Sequence, residues 1–233
     1  MNLVKLQHKL NYTFTDEKLL REALTHSTYA YEHSEVKKHN ERLEFLGDAV
    51  LQLAISSALF DQNDLSEGSM TKLRARLVCE PTLAMLARQL ELQSQLRLGH
   101  GEALSGGASN DSNLANAMEA ILGAIFIDGG YESSFAVTKH LFRDYIDLAL
   151  QDKLIYDHKS YLLEMAHKKE FTVDFKIIKE SGPDHNRHFT AAVYINGELS
   201  ATAGGKTKKE AEQGAAAAFI EQNRSSNLQQ GQE

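Results

Sequence analysis

Three carboxylates set close together give the chain its clearest chemical signal. In NERLEFLGDAV, Asn40 to Val50, the acids Glu41, Glu44 and Asp48 stand at i, i+3 and i+7. At about 100° per residue this spacing puts all three on one stripe of a helix. Like charges so arranged cost roughly a few tenths of a kcal/mol per pair unless a cation neutralises them. They also flank Leu43, Phe45, Leu46 and Val50. Oxygen donors without His or Cys select hard Mg²⁺ or Mn²⁺ over zinc. A second constellation lies in SNLANAMEAILGAIFIDGGY, where Asn116 and Glu119 are i, i+3 on an apolar, Ala-rich helix. An acid facing an apolar interior needs a partner. A solvated helix face explains the first stretch as well as a divalent cation does, and a structural Asn with an exposed Glu explains the second; the second constellation adds weight to a metal site.

The elements that carry these groups are read from periodicity. Leu19, Leu20, Ala23 and Leu24 recur at helical spacing after a capping turn at Thr15 and Asp16. Leu43, Leu46, Val50, Leu53 and Ala54 do the same in a helix expected over about Val36 to Phe60. Further helices are expected at Gly68 to Val78, Pro81 to Leu90, Asn110 to Asp128 and Glu132 to Leu150. After Asp157 the pattern changes. A helix at His158 to Lys168 precedes FTVDFKIIKES, whose Phe171, Val173, Phe175 and Ile177 alternate with polar residues. HFTAAVYI and ELSATAGG flank Asn196-Gly197, a two-residue hairpin signal. A last helix is expected from Lys206 to Gln222, with Ala211, Ala215, Ala218 and Phe219 inward. The fold class is therefore mostly α: an all-helical domain over 1–150, a linker over 151–156, a small α-β-β-β-α domain over 157–224, and a polar, disordered tail over 225–233.

The formal charge is -7, with 42% hydrophobic and 24% charged residues, the balance of a globular protein. Residues 1–156 hold 15 Lys and Arg against 21 Asp and Glu, whereas 157–224 hold 10 of each. The acid surplus thus sits with the carboxylate motifs, and the net charge does not exclude a nucleic-acid partner. Cys79 is the single cysteine, which excludes an internal disulfide and fits a reducing compartment. Apolar runs such as Ala120 to Ile127 fall short of the ~18 residues that cross a bilayer, and MNLVKLQHKL carries no long apolar leader. A cytoplasmic location is expected.

NERLEFLGDAV, with ALTHSTYA before it and EGSMTKLRARLV, LGHGE, SGG and NLANAMEAILGAIFIDGGY after it, resembles the catalytic domain of bacterial ribonuclease III. DHKSYLLE, GPDHNRHF and GGKTKKEAEQGAAAA resemble the double-stranded RNA-binding domain that follows it in that family. The resemblance implies an endoribonuclease that cuts double-stranded RNA as a homodimer and processes ribosomal precursors and messages. Two Mg²⁺ ions would serve it, with Mn²⁺ able to substitute, leaving 5′-phosphate and 3′-hydroxyl ends with short 3′ overhangs. It places Glu44, Asp48, Asn116 and Glu119 at metal-site positions, Asp48 and Glu119 being most closely tied to catalysis. Glu41 and Glu67 match further acids of the cutting valley, and Phe45 matches an aromatic that packs across the two-fold axis. Position 116 is Asn where much of the family carries Asp, which removes one negative charge and is expected to weaken metal binding.

Lys206, Lys208 and Lys209 open the final helix, where the dipole and exposed amides favour phosphate. By resemblance, Ser160, Glu164 and His185 contact minor-groove 2′-hydroxyls; Leu163 stands where the family often has Gln. His26, Gly47, Gly101 and Gly106 read as structural, as a core or capping histidine and as glycines for close approach or turns. Two other functions remain open on sequence: a non-catalytic double-stranded RNA-binding regulator, and a metal-dependent nucleotide phosphohydrolase, which leaves the second domain unexplained.

Overall fold

The computed structural model describes residues 3–62, 64–151, 154, 157–183 and 187–229. The chain forms two compact units, Met1–Leu154 and Ile155–Glu233.

The first unit is helical. In order it holds α1 (Leu3–Leu10), α2 (Glu17–Ala23), α3 (Ser27–Glu32), α4 (Glu41–Phe60), α5 (Glu67–Leu77), α6 (Glu80–Gln89), α7 (His100–Leu104) and α8 (Asp111–Leu150). Asp16 caps α2 by accepting from Lys18 N–H at 3.0 Å, as its place before the apolar repeat suggests. The helices α1, α3 and α7 have no counterpart in the periodicity reading; the last two are 6 and 5 residues long, too short to show a repeat.

The helix expected from Val36 begins at Glu41. The backbone of Asn40 is held instead by its N–H to Thr25 O at 2.9 Å, so the segment before it is drawn across to the loop after α2. The two helices expected over 110–150 run as one, broken at Gly130 with φ 77° and ψ -175°. Only glycine adopts that conformation without strain. Beside the break, the Asp128 carboxylate accepts from Tyr12 Oη at 2.7 Å and from the N–H groups of Thr15 and Asp16 at 2.8 and 2.9 Å. Those donors hold the carboxyl below its usual range, and its charge together with burial pushes the Tyr12 hydroxyl up to about 12.

The centre of this unit is α4 packed on α8. Leu43, Val50, Leu51, Ala54 and Ile55 are buried, and Leu114, Met118, Ile121, Leu122 and Ile125 are buried on α8. Leu53 departs from expectation: it is 56% exposed, as are Phe45 at 83% and Phe60 at 75%. Together with exposed Ala49 they span about 80° of the helix surface, an apolar stripe turned away from α8. This stripe raises the mean hydropathy of α4 to 1.5, so that by length and composition alone it matches a bilayer span. It is nonetheless a core helix carrying Glu41, Glu44 and Asp48.

In the second unit α9 (His158–Lys169) precedes β1 (Val173–Ser181), β2 (His188–Ile195), β3 (Glu198–Gly205) and α10 (Lys208–Gln229). The sheet is antiparallel in the order β1-β2-β3, with Val173 opposite Ile195 and Ala191 opposite Ala203. Asn196 and Gly197, at φ 51° and 84°, make the hairpin turn, and Asn196 Oδ1 accepts from Thr172 N–H at 2.9 Å. Both helices cover one sheet face, burying Leu162, Ala191, Val193, Ala201, Ala211, Ala215, Ala216 and Ile220. Ala218 and Phe219, expected inward, are only partly buried. Past the expected end at Gln222, α10 continues to Gln229 through residues of the expected tail. No Pro or Gly interrupts that stretch, so the hydrogen-bond ladder propagates.

Candidate metal centre and RNA-binding surface

The site is made by how closely two backbones approach. A Cβ on Gly47 of α4 would lie 1.8 Å from Glu119 O, and one on Gly123 of α8 would lie 2.1 Å from Leu43 O. Only glycine at both positions lets these helices cross in near contact. Glu44 and Asp48 flank Gly47 and Glu119 stands at the crossing, so acids 71 residues apart or more share one place. Gly47 was legible as a close-approach glycine. Gly123, in an Ala-rich run four residues after Glu119, carried the same signal and passed unread.

The electrostatics follow from that proximity. Burial, then the charges of Asp48 and Glu44, push the Glu119 carboxyl up to about 7. Burial and Glu41 raise Glu44 as well. The nearest hydrogen bond to Asp48 is a weak one from Gln52 Nε2 at 3.4 Å. Asn116, one turn before Glu119 on the same face of α8, is half-buried. Glu41 is exposed, 3.8 Å from His39 Nδ1.

Glu67 is not part of this cluster within the chain. It opens α5 and lines a hollow with Ser56, Leu59, Phe60, Met70 and Arg74, some 18 Å along α4 from Glu44 at ~1.5 Å per residue. Its carboxylate accepts from Thr71 Oγ1 at 3.1 Å. His26 caps α3, Nδ1 accepting from Thr28 N–H at 3.3 Å, and Gly106 at φ 85° makes a turn. Gly101 does neither, having open space where a Cβ would stand. Glu102, unremarked in the sequence reading, accepts from Asn113 Nδ2 at 2.7 Å and braces α7 against the start of α8.

On the second unit the expected RNA contacts are exposed, and His185 lies outside the described residues. Lys206 precedes α10; Thr207 caps it, accepting from Glu210 N–H at 3.1 Å, while Glu210 takes Lys206 N–H at 2.7 Å. The two bonds together tie the helix start to the strand end before it. Lys208 lies 5.7 Å over the Phe189 ring, and the charge of Lys209 helps hold the Asp157 carboxyl down, after hydrogen bonds from Gln213 and Ser160. Exposed Ser160 donates through Oγ to Asp157 at 2.8 Å. Glu164 pairs loosely with Lys168 at 3.8 Å.

Residues 16–145 match the family model described as Ribonuclease-III-like, more than half of the chain. The chain belongs to the ribonuclease III family. Residues 158–223 match the model of the double-stranded RNA binding motif. Among curated relatives, Ribonuclease 3 of Caldanaerobacter subterraneus subsp. tengcongensis is 48% identical over 92% of this chain and 95% of its own length. That of Carboxydothermus hydrogenoformans is 46% identical over 94% and 95%. Among solved structures, the nuclease domain of ribonuclease III from Campylobacter jejuni superposes with a TM-score of 0.57 and 39% identity, covering 61% of this chain and 97% of that one. The protein is an endoribonuclease, with a helical nuclease domain followed by a double-stranded RNA-binding domain.

Proposed function

We propose that the chain cleaves double-stranded RNA in a Mg²⁺-dependent reaction, with Glu44, Asp48, Asn116 and Glu119 as the ligand set and Mn²⁺ as a competent substitute. The observation that carries this is the near contact of α4 and α8 at Gly47 and Gly123, which sets Glu119 at the crossing where burial, and then the charges of Asp48 and Glu44, push its carboxyl up to about 7. Such a cluster calls for a cation, and its donors are all oxygen, the set that hard divalent ions prefer. Among the described residues, no group of three or more His, Cys, Asp or Glu side chains converges as a ready-made metal cage. A Mg²⁺ held here would rest on few protein ligands and complete its shell with water and substrate phosphate. The chemistry a pair of such ions supplies is an activated water and charge neutralisation at the departing 3′ oxygen.

The chain's own contribution is positioning. The Gly47–Gly123 contact leaves the α4 acids no freedom to separate from Glu119. Near neutral pH Glu119 lies close to its own titration point, so a cation held there would compete with its proton. The expected products carry 5′-phosphate and 3′-hydroxyl ends.

A two-fold homodimer completes the reading. The exposed stripe of Phe45, Ala49, Leu53 and Phe60 is the kind of contiguous apolar surface that a second copy covers. The Campylobacter jejuni domain was described for a region involved in dimer formation. In an isologous pair, Phe45 entering the hollow beside Glu67 would set that acid next to the partner's cluster, which accounts for its distance from Asp48 within one chain. Two centres then cut both strands with a short 3′ overhang. Cytoplasmic processing of ribosomal precursors and messages is the role this activity serves. The test is a plain RNA duplex digested with Mg²⁺ or with EDTA, ends mapped, for wild type and for Asp48→Ala and Glu119→Ala. Staggered cuts by the wild type alone, abolished by EDTA, are expected; full cleavage by either variant overturns the ligand assignment.

A further inference from the structure

We propose that a groove beside the start of α4 holds the sugar-phosphate backbone of the RNA strand next to the cut and reads its 2′-hydroxyls. This deepens the duplex-cleaving function above and rests on it. The groove is open, about 790 Å³, and is formed by α3, the segment leading to α4, and the start of α7. Its two acids are already committed to the protein. Glu32 accepts from His100 N–H at 2.9 and 2.8 Å, and Glu102 accepts from Asn113 at 2.7 Å. What remains are the hydroxyls of Ser27, Tyr31 and Ser34 and the ammonium of Lys37, which make no hydrogen bond or ion pair among the described residues. Tyr31 is 92% exposed.

Those groups match one kind of occupant. A hydroxyl both donates and accepts, as a ribose 2′-hydroxyl does, and a free lysine suits a phosphate as a point charge. The Tyr31 ring adds a flat face for a sugar to rest on. Ala30, Val36 and the Tyr31 ring give it an apolar floor on which a sugar can rest between the polar groups. Place supports chemistry. His39 lines the groove, and its Nδ1, buried without a hydrogen-bond partner, lies 3.8 Å from Glu41. Glu41 in turn stands i, i+3 from Glu44 in the first turn of α4, on the same face. A strand in the groove would be led by His39 and Glu41 toward the start of α4.

The experiment uses the full chain and two duplexes, one all RNA and one with 2′-deoxyribose at the nucleotides flanking the cut. Wild type should lose roughly tenfold in kcat/KM on the deoxy duplex. The variant Ser27→Ala/Tyr31→Phe/Ser34→Ala should lose a similar factor on all-RNA duplex and nothing more on the deoxy duplex, since the partners are then already missing. Lys37→Gln should raise KM roughly three- to tenfold at unchanged kcat and lower the slope of log affinity against log salt by about 1. Unaltered melting temperatures show that the substitutions at half-buried Ser27 and at exposed Tyr31, Ser34 and Lys37 leave the fold intact. Full deoxy sensitivity in the triple variant, or an unchanged salt slope for Lys37→Gln, overturns the groove. Equilibrium binding of the same duplexes in EDTA by wild type and by the triple variant reads the groove apart from cutting, so 2′-hydroxyl dependence lost in the variant, beside a wild type that fails to cut, speaks against the nuclease reading alone.

Discussion

The two units concentrate like charge in opposite ways. At the α4/α8 crossing, carboxylates are pressed together by backbones that touch at Gly47 and Gly123, and burial magnifies their repulsion. At the start of α10, Lys206, Lys208 and Lys209 stand exposed on a capped helix end, splayed into water that screens them. The first arrangement is a loaded one that a cation relieves; the second is a set of separate handles for phosphate. Substitutions among the buried acids should therefore act as a unit, whereas the lysines should act nearly additively.

The largest effect expected is on cleavage. Asp48→Ala and Glu119→Ala should each lower kcat by roughly 10³-fold or more, and the double variant should be little worse than either single one. Multiplying losses in a single-turnover digest would show that the acids act separately. Next comes the crossing itself. Gly47→Ala places a methyl group 1.8 Å from Glu119 O, so it should cost about 2 to 4 kcal/mol in chemical denaturation and impair cutting with it. Retained stability would mean that the helices have room to separate.

Much of this comparison was readable in the sequence, and the reason differs by region. The period-two strands and Asn196-Gly197 turn are local signals, so the second domain's order emerged whole. Glu44 and Asp48 were legible as a stripe because helical spacing is also local. Their meeting with Glu119 is a long-range fact that no spacing encodes, and it entered through family resemblance. Leu53 was misplaced inward because hydrophobicity alone does not say which apolar face meets a second surface. The short α3 and α7 depend on caps and on contacts such as Glu32 with His100, not on a repeat.

The lysines rank third. Replacing Lys206, Lys208 and Lys209 with Gln should weaken duplex binding roughly tenfold to a hundredfold, each lysine reducing the salt slope by about 1, with kcat at saturating RNA unchanged. One lysine carrying the whole loss would contradict the additive picture. The smallest effect is on metal-free stability. Glu119 titrates at about 7 in the folded protein against an ordinary 4.5, so between these values the folded chain binds more protons than the unfolded one. Stability is thus fully present below about pH 4.5 as far as this group is concerned, and falls as pH rises through 7. After allowance for solvent screening of a partly exposed side chain, the loss is about 1 to 2 kcal/mol. Glu119→Gln should abolish that slope in urea titrations, and so should saturating Mg²⁺ in the wild type.

The most direct test of the shared acid centre is calorimetric binding of Mn²⁺ to the protein at pH 7, repeated in buffers of different ionisation enthalpy. Uptake of the ion should expel a substantial fraction of a proton from wild type, and both the affinity and the proton release should collapse in Glu119→Gln. Equal binding with equal proton release in the two proteins would contradict the claim that α4 and α8 hold the cation between them.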